Sequence, residues 1–193
     1  MSINKNLVTL LSLVTSKAAI ASFKYVGKKD KNGADKAAVD VMRNELNNID
    51  LDGKKMGGHL LVDSLRTHGV DMVFGVPGES YLAVLDGLQD ANSIKTIMCR
   101  QEGGSAMMAE AYGKLTGKPG VCLVTRGPGA TNASAGIHIA MQDSTPLVML
   151  VGQVGREMMD REAFQEIDDR RMYGELTKWV AQIEDTSRIP EYI

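Results

Sequence analysis

Three short glycine-bearing stretches of this 193-residue chain hold the residues best placed for chemistry. They are Gly75-Val76-Pro77-Gly78-Glu79, Arg100-Gln101-Glu102-Gly103-Gly104 and Arg126-Gly127-Pro128-Gly129-Ala130-Thr131-Asn132. Glycine supplies positive φ and proline presets a turn, so each stretch taken alone reads as turn geometry. Two chemical readings stand beside that one: backbone brought close to a flat ligand, or a phosphate cradled at a helix N-terminus. No G-x-G-x-x-G or G-x-x-x-x-G-K-[ST] pattern follows an apolar run, which weakens the dinucleotide and P-loop readings. Glu102 is the most informative single residue. It follows an apolar run and precedes a stretch of small residues, 103–111. A carboxylate there can simply favour the helix macrodipole, the commoner role of a glutamate at a helix start. The alternative is a carboxyl kept among apolar neighbours, placed to exchange a proton with a ligand nitrogen.

The elements that must position these loops alternate from Met56 onward. Apolar runs at 72–76, 94–99, 121–125 and 147–151 read as strands. Helical patterning covers 60–69, 81–88, 103–115 and 130–141. The strands lack polar alternation, the mark of a parallel sheet covered on both faces. Right-handed crossovers then give an α/β fold, a doubly wound, mostly parallel sheet with helices on both faces. Parallel strands end on one side, so the three loops should gather at one edge, where such sheets bind ligands.

The first 54 residues differ. Leu7, Leu10, Leu11, Val14, Ala18 and Ala21 follow the spacing of one helix face, and Ala34, Ala37, Ala38, Val41 and Met42 mark a second helix that ends before residues 50–53. Residues 27–33 separate the two, with Asp30 or Asn32 as candidate caps. An N-terminal helical hairpin therefore precedes the sheet. Up to Lys54 there are nine basic and six acidic residues; the remainder has thirteen and eighteen, so a charge seam coincides with the structural one. Across the chain, 22 basic and 24 acidic residues leave a net charge of −2, which asks for neither nucleic acid nor an acidic membrane as partner. A 44% hydrophobic, 24% charged composition excludes whole-chain disorder, and no apolar run approaches the roughly 18 residues of a membrane span. No signal-peptide pattern is read at the N-terminus. Cys99 and Cys122 lie in apolar runs and read as buried reduced thiols, pointing to a cytoplasmic protein.

From about Gly57 onward the chain resembles the N-terminal, pyrimidine-binding domain of thiamine-diphosphate enzymes, of the acetolactate synthase large-subunit kind. The resemblance rests on Phe74 to Gly78, Arg100 to Gly103, Ala109 to Gly113, Thr125 to Asn132 (TRGPGATN), Gln142 to Pro146, Gly152 to Val154 and Phe164 to Glu166. It implies that Glu102 hydrogen-bonds a ring nitrogen of the cofactor's aminopyrimidine, whose amino nitrogen in turn takes the thiazolium C2 proton. It also implies that Val76, Pro77 and Gly78 flank the pyrimidine, that Gly127, Gly129 and Asn132 belong to a second cofactor loop, and that Phe164 and Gln165 face the substrate, a 2-oxo acid. Gln142 to Ser144 read equally as helix capping and subunit packing. One departure stands at the centre: many of the synthases carry His where this chain has Gln101, and less specific relatives carry Gln. The resemblance implies the cofactor's pyrimidine part only. Magnesium and the diphosphate belong to a second domain with a Gly-Asp-Gly…Asn motif, which these 193 residues do not contain, and FAD occurs in the full-length family. The implied partner is a second copy or a diphosphate-domain chain, and catalysis by these residues alone is not expected.

Residues 18–53 resemble instead the opening of class II fructose-1,6-bisphosphatases, through Ala21 to Gly27, Asp30 to Asp35, Ala37 to Val39, Met42-Arg43 and Asp50 to Gly53. That family uses an aspartate at the place of Asp30 toward a divalent metal, but its later acidic motifs are absent here, so no metal ligands are expected and Asp30 and Asp35 read as helix start and solvated face. Domains are therefore expected at 1–55 and 56–193, joined as a fusion. The family pattern implies a strand at 179–183 and a first helical turn at 189–193, with later pieces absent, uncovered sheet edge and self-association. Against the enzyme half-site stand two alternatives: a non-catalytic interaction module with the same fold, and, remotely, a metal-dependent sugar phosphatase fragment.

Overall fold

A computed structural model describes residues 5–28, 30–47 and 56–193. The chain divides into two compact units, Met1–Lys54 and Lys55–Ile193. The first contains helices α1 (Lys5–Phe23) and α2 (Lys31–Asn47). Val14 and Ala18 are buried in it, as the apolar spacing predicts; the side chains of Leu7, Leu10 and Leu11, and residues 50–53, lie outside the described residues. Asp30 rather than Asn32 is the cap: its Oδ1 accepts from the Gly33 amide at 2.8 Å, and α2 begins at Lys31, earlier than the apolar spacing implies. A side-chain acceptor ready to take an orphan N–H starts the helix before its apolar face begins.

The second unit is α/β. Four strands, β1 (Met72–Gly75), β2 (Lys95–Met98), β3 (Gly120–Val124) and β4 (Leu147–Val151), form one parallel sheet in the order β2-β1-β3-β4. Successive side chains point to opposite faces. Val73, Val121 and Leu123 enter one apolar cluster with Val62, Leu65, Val84 and Leu88 of helices α3 (Gly57–Thr67) and α4 (Leu82–Asp90). Phe74, Cys122 and Val124 enter the other, against α5 (Glu102–Thr116) and α6 (Pro128–Asp143). The double layer follows from strands that are apolar on both sides.

Helix α5 packs through its small residues. Gly103, Ala106, Ala109 and Gly113 are buried, while Gly104, Met107, Met108 and Ala111 are exposed. A Cβ at Gly120 would fall 1.9 Å from the Ala109 carbonyl oxygen, so β3 and α5 meet at a distance only glycine permits. At the sheet edges burial weakens: β2 is only partly covered, and Cys99, just past its end, is half-buried, against the expectation of two buried thiols. Cys122 on central β3 is buried, and desolvation pushes its thiol up to about 11.

β4 is an edge strand with all five residues half-buried. Beside it opens a cleft of about 1070 Å³ whose walls include Val148, Leu150, Trp179, Ile183 and Ile189. The strand expected at 179–183 is absent: this segment runs irregularly, because it does not pair with β4 and a strand without ladder partners is not held. The turn expected at 189–193 does form, as α8 (Ile189–Tyr192). Among the described residues no helix is long and apolar enough to cross a membrane.

Candidate functional site

The chain runs from β1 outward to β2, then crosses back over β1 to β3, so the order of winding reverses between β1 and β3. Open α/β sheets bind ligands in the crevice this reversal opens at the carboxyl ends of the strands. The first and third glycine loops leave from β1 and β3, and the second leads from β2 into α5.

Thr125, the residue after β3, joins them. A Cβ at Gly78 would lie 2.9 Å from the Thr125 Cβ, and one at Gly129 would lie 2.7 Å from its Cγ2. Its hydroxyl also shares a 2.8 Å hydrogen bond with Ser80 Oγ. Both glycines therefore pack backbone directly onto Thr125. Tyr81, buried at the end of the first loop, donates from its hydroxyl to the Val76 carbonyl; desolvation, with added repulsion from Cys122 and Glu102, pushes that phenol up to about 12. Pro77 is exposed at the loop's crest.

Glu102 is the first residue of α5 and is half-buried. Asn132 Nδ2 donates to its Oε2 at 3.0 Å, and its Oε1 would be 3.4 Å from a Cβ at Gly129. Among the described residues Oε1 accepts no hydrogen bond. The carboxylate thus stands at the glycine edge with one oxygen held and one available. The arrangement has a simple local cause. Gln101 is the N-cap, its Oε1 accepting from the Gly104 amide at 2.9 Å, so the cap is filled by the preceding residue and Glu102 is left for other partners. The residue that departs from the synthase pattern therefore has a helix-starting task here.

The third loop fixes a fourth segment. Gly127 has φ +56, and a Cβ on it would lie 2.3 Å from the Gln165 carbonyl oxygen. Gln165 itself has φ +62. One residue earlier, Arg126 is 6% exposed; its Nε donates to the Phe164 carbonyl at 2.8 Å and an Nη to Glu79 Oε1 at 2.6 Å. The Phe164 side chain is 74% exposed. Glu166 closes this segment on itself by accepting from the Ala163 and Asp160 amides, and these bonds hold its carboxyl below the usual range. Beyond it, Gln153 donates to the Ile167 carbonyl and to Asp169 Oδ2, both at 3.1 Å, tying the end of β4 to α7 (Asp169–Tyr173).

Of the sequence candidates, Gly78, Gly129, Glu102 and Asn132 come together around Thr125, and Gln165 and Phe164 are joined to the same edge through Gly127 and Arg126. Val76 joins through Tyr81. Sequence reasoning placed Glu79 and Arg126 in the glycine loops and Thr125 in a family motif but gave no role to them or to Ser80. A charged residue two positions past an apolar strand was the available signal, since such a charge needs a partner if it is buried. Gln142 to Ser144 lie at the end of α6, where Ser144 closes the helix in the left-handed region and accepts from Lys178. Asp30, held by the Gly33 amide, serves its helix.

A doubly wound parallel sheet with a carboxylate and closely packed glycine loops at its switch point has the layout of a ligand-binding sheet edge. Residues 55–172 match the family described as thiamine pyrophosphate enzyme, N-terminal TPP binding domain, and the chain belongs to that family. It is 40% identical over 145 residues to the acetolactate synthase large subunit of Lactococcus lactis, covering 75% of this chain and 25% of that protein. It is 41% identical over 140 residues to acetolactate synthase of Bacillus subtilis, covering 72% and 24%, and 38% identical over 142 residues to the chloroplastic enzyme of Arabidopsis thaliana, covering 74% and 21%. The chain spans about a quarter of the length of the curated relatives it matches. A weaker match, over residues 5–79 and less than half of the chain, is to the glpX-encoded bacterial fructose-1,6-bisphosphatase.

Proposed function

We propose that residues 56–193 form the pyrimidine-binding half of a thiamine-diphosphate site, of the kind used by 2-oxo-acid carboligases and decarboxylases, behind a separate helical unit over 1–55. The observation that carries this reading is the Glu102–Asn132 hydrogen bond beside Gly129 at the switch point, the other Glu102 oxygen accepting no hydrogen bond among the described residues. The residues fit the group. Gly78, Gly127 and Gly129 let the loop backbones pack directly onto Thr125 and Gln165, which draws the loops together at the edge where the flat heterocycle would sit.

Val76, Pro77 and Gly78 would border the ring on one side and Gly127, Gly129 and Asn132 on the other. Glu102 would hydrogen-bond a pyrimidine ring nitrogen and pass a proton to and from it, with Asn132 fixing the carboxylate's orientation. The cofactor, when bound, supplies the electron sink for breaking or forming the bond beside a 2-oxo acid's carbonyl. Phe164 and Gln165 would face that acid. Magnesium and the diphosphate call for a second domain, from a longer chain or a partner. Support for a partner comes from the outward side of α5 and α6, where Met107, Met108, Leu115 and Ile139 are exposed.

The test combines the chain with the diphosphate-binding domain of an acetolactate synthase, magnesium and thiamine diphosphate, and follows pyruvate consumption. Activity that falls by about a hundredfold or more in Glu102→Gln supports the reading. Full activity in that variant overturns the role of Glu102, and an inert wild-type mixture favours a non-catalytic module of the same fold.

A further inference from the structure

Two consecutive residues after β3 grip two consecutive residues 38 positions on. Arg126 holds the Phe164 carbonyl, and Gly127 admits the Gln165 carbonyl. The first grip is directional. A planar guanidinium can hold a carboxylate with one nitrogen and a carbonyl with another, which an ammonium cannot do in the same geometry. The Arg126 side chain is 7% exposed while that of Glu79 is 61% exposed, so the pair runs from the interior to the surface, and Glu79 belongs to the first glycine loop. One guanidinium therefore joins the loop after β1, the loop after β3 and the 158–167 segment. Nothing else among the described contacts links Phe164 to the sheet. The segment is also tethered near its two ends, by Gln182 to the Met159 sulfur and by Gln153 to the Ile167 carbonyl, while the bonds of its middle, from the Asp160 and Ala163 amides to Glu166, are internal and order it without placing it.

We propose that Arg126, paired with Glu79, is a positioning residue that seats the Phe164–Gln165 backbone on the Gly127 loop and so sets the substrate-side wall of the site. The naming of that wall rests on the proposed function; the seating itself does not. Loss of the grip frees the middle of the segment, between the Met159 and Ile167 tethers, while the sheet beneath it stays intact. Whatever 2-oxo acid the site takes, its side chain is then measured by where Arg126 puts Phe164.

Amide hydrogen exchange on the full chain without cofactor tests this. Arg126→Lys keeps a positive charge for Glu79 but loses the fork. Exchange at Asp160, Ala163 and Glu166 is expected to rise about tenfold or more, with the β3 amides 121–124 and the melting temperature unchanged. Glu79→Ala, at the exposed end of the pair, is expected to act in the same direction more weakly and keeps the test open should an Arg126 variant fold poorly. Unchanged exchange in the 158–167 segment in both variants overturns the proposal. So does a uniform rise over the whole unit with a lowered melting temperature, the mark of a buried charge that serves only stability. In the wild type, protection of residues 127–132 by added thiamine diphosphate reads out the proposed function separately, so failure of one is distinguishable from failure of the other.

Discussion

Among the carboxyls, burial weighs most on Asp169. Among the described residues its Oδ1 is buried with no hydrogen-bond partner, and its Oδ2 has only the Gln153 amide. Desolvation, and then the neighbouring Asp168 charge, push this carboxyl up from 3.8 to about 6. A carboxyl whose folded pKa is raised binds its proton more tightly in the folded state. Its penalty is absent below the unfolded value and grows as pH rises from about 4 through about 6. Asp169→Asn keeps the acceptor for Gln153 and removes the charge. It is expected to raise stability at pH 7.5 by on the order of 1 kcal/mol, after solvent screening, and to leave it unchanged near pH 4. Urea midpoints at the two pH values check this. Glu166 works with the opposite sign: its lowered pKa contributes stability above the usual carboxylate range that is lost as pH falls. Glu102 could be singled out in the sequence because it follows an apolar strand and opens a helix of small residues. Asn132, its partner, could not be paired with it by spacing, since 30 residues and a whole strand separate them.

At the scale of elements, the close seating of α5 on β3 decides where Glu102 stands. Gly120 touches the Ala109 carbonyl, and Gly136 brings α6 against Ala106 in the same way. Gly120→Ala forces the helix away from the sheet and is expected to cost about 1–3 kcal/mol, read as a lowered denaturation midpoint. A circular dichroism spectrum that keeps its helical content would show that the elements survive and only their spacing has changed. Sequence periodicity marked α5 as a helix but not which face it buries, because Ala, Gly and Met are all apolar by class. The choice falls to volume: the face made of Gly103, Ala106, Ala109 and Gly113 fits closely against its neighbours, and the face that carries the bulkier methionines is left outside. The same reasoning explains 179–183. Its apolar residues suit a strand, yet a strand exists only through a neighbour's hydrogen bonds, and β4 does not supply them.

For the second unit as a whole, the exposed apolar residues of α5 and α6 are a departure from an ordinary surface. Leu115 is 86% exposed, and Met107, Met108 and Ile139 share the outward side of these helices. The chain is expected to sediment as a dimer or larger species. Met108→Glu with Leu115→Glu is expected to shift it toward monomer without lowering its melting temperature, since neither side chain is buried in the described structure. A wild-type monomer at all concentrations would remove the α5–α6 face from consideration as a contact surface.

The class of fold, the strand-helix alternation, the seam near residue 55 and the three loops that end on one edge can all be read from the order of residues. They depend on local patterning: runs of apolar residues, helix-start residues, glycine and proline at turns. That Thr125 lies under two glycines, that Asn132 reaches Glu102, and that Arg126 is spanned between Glu79 and Phe164 comes from the folded packing alone. Apart from Gly129, four positions from Thr125, those contacts join residues 30 to 47 positions apart. No local pattern encodes them, because each distance is set by how closely helices and strands pack after the chain has wound over the sheet and back.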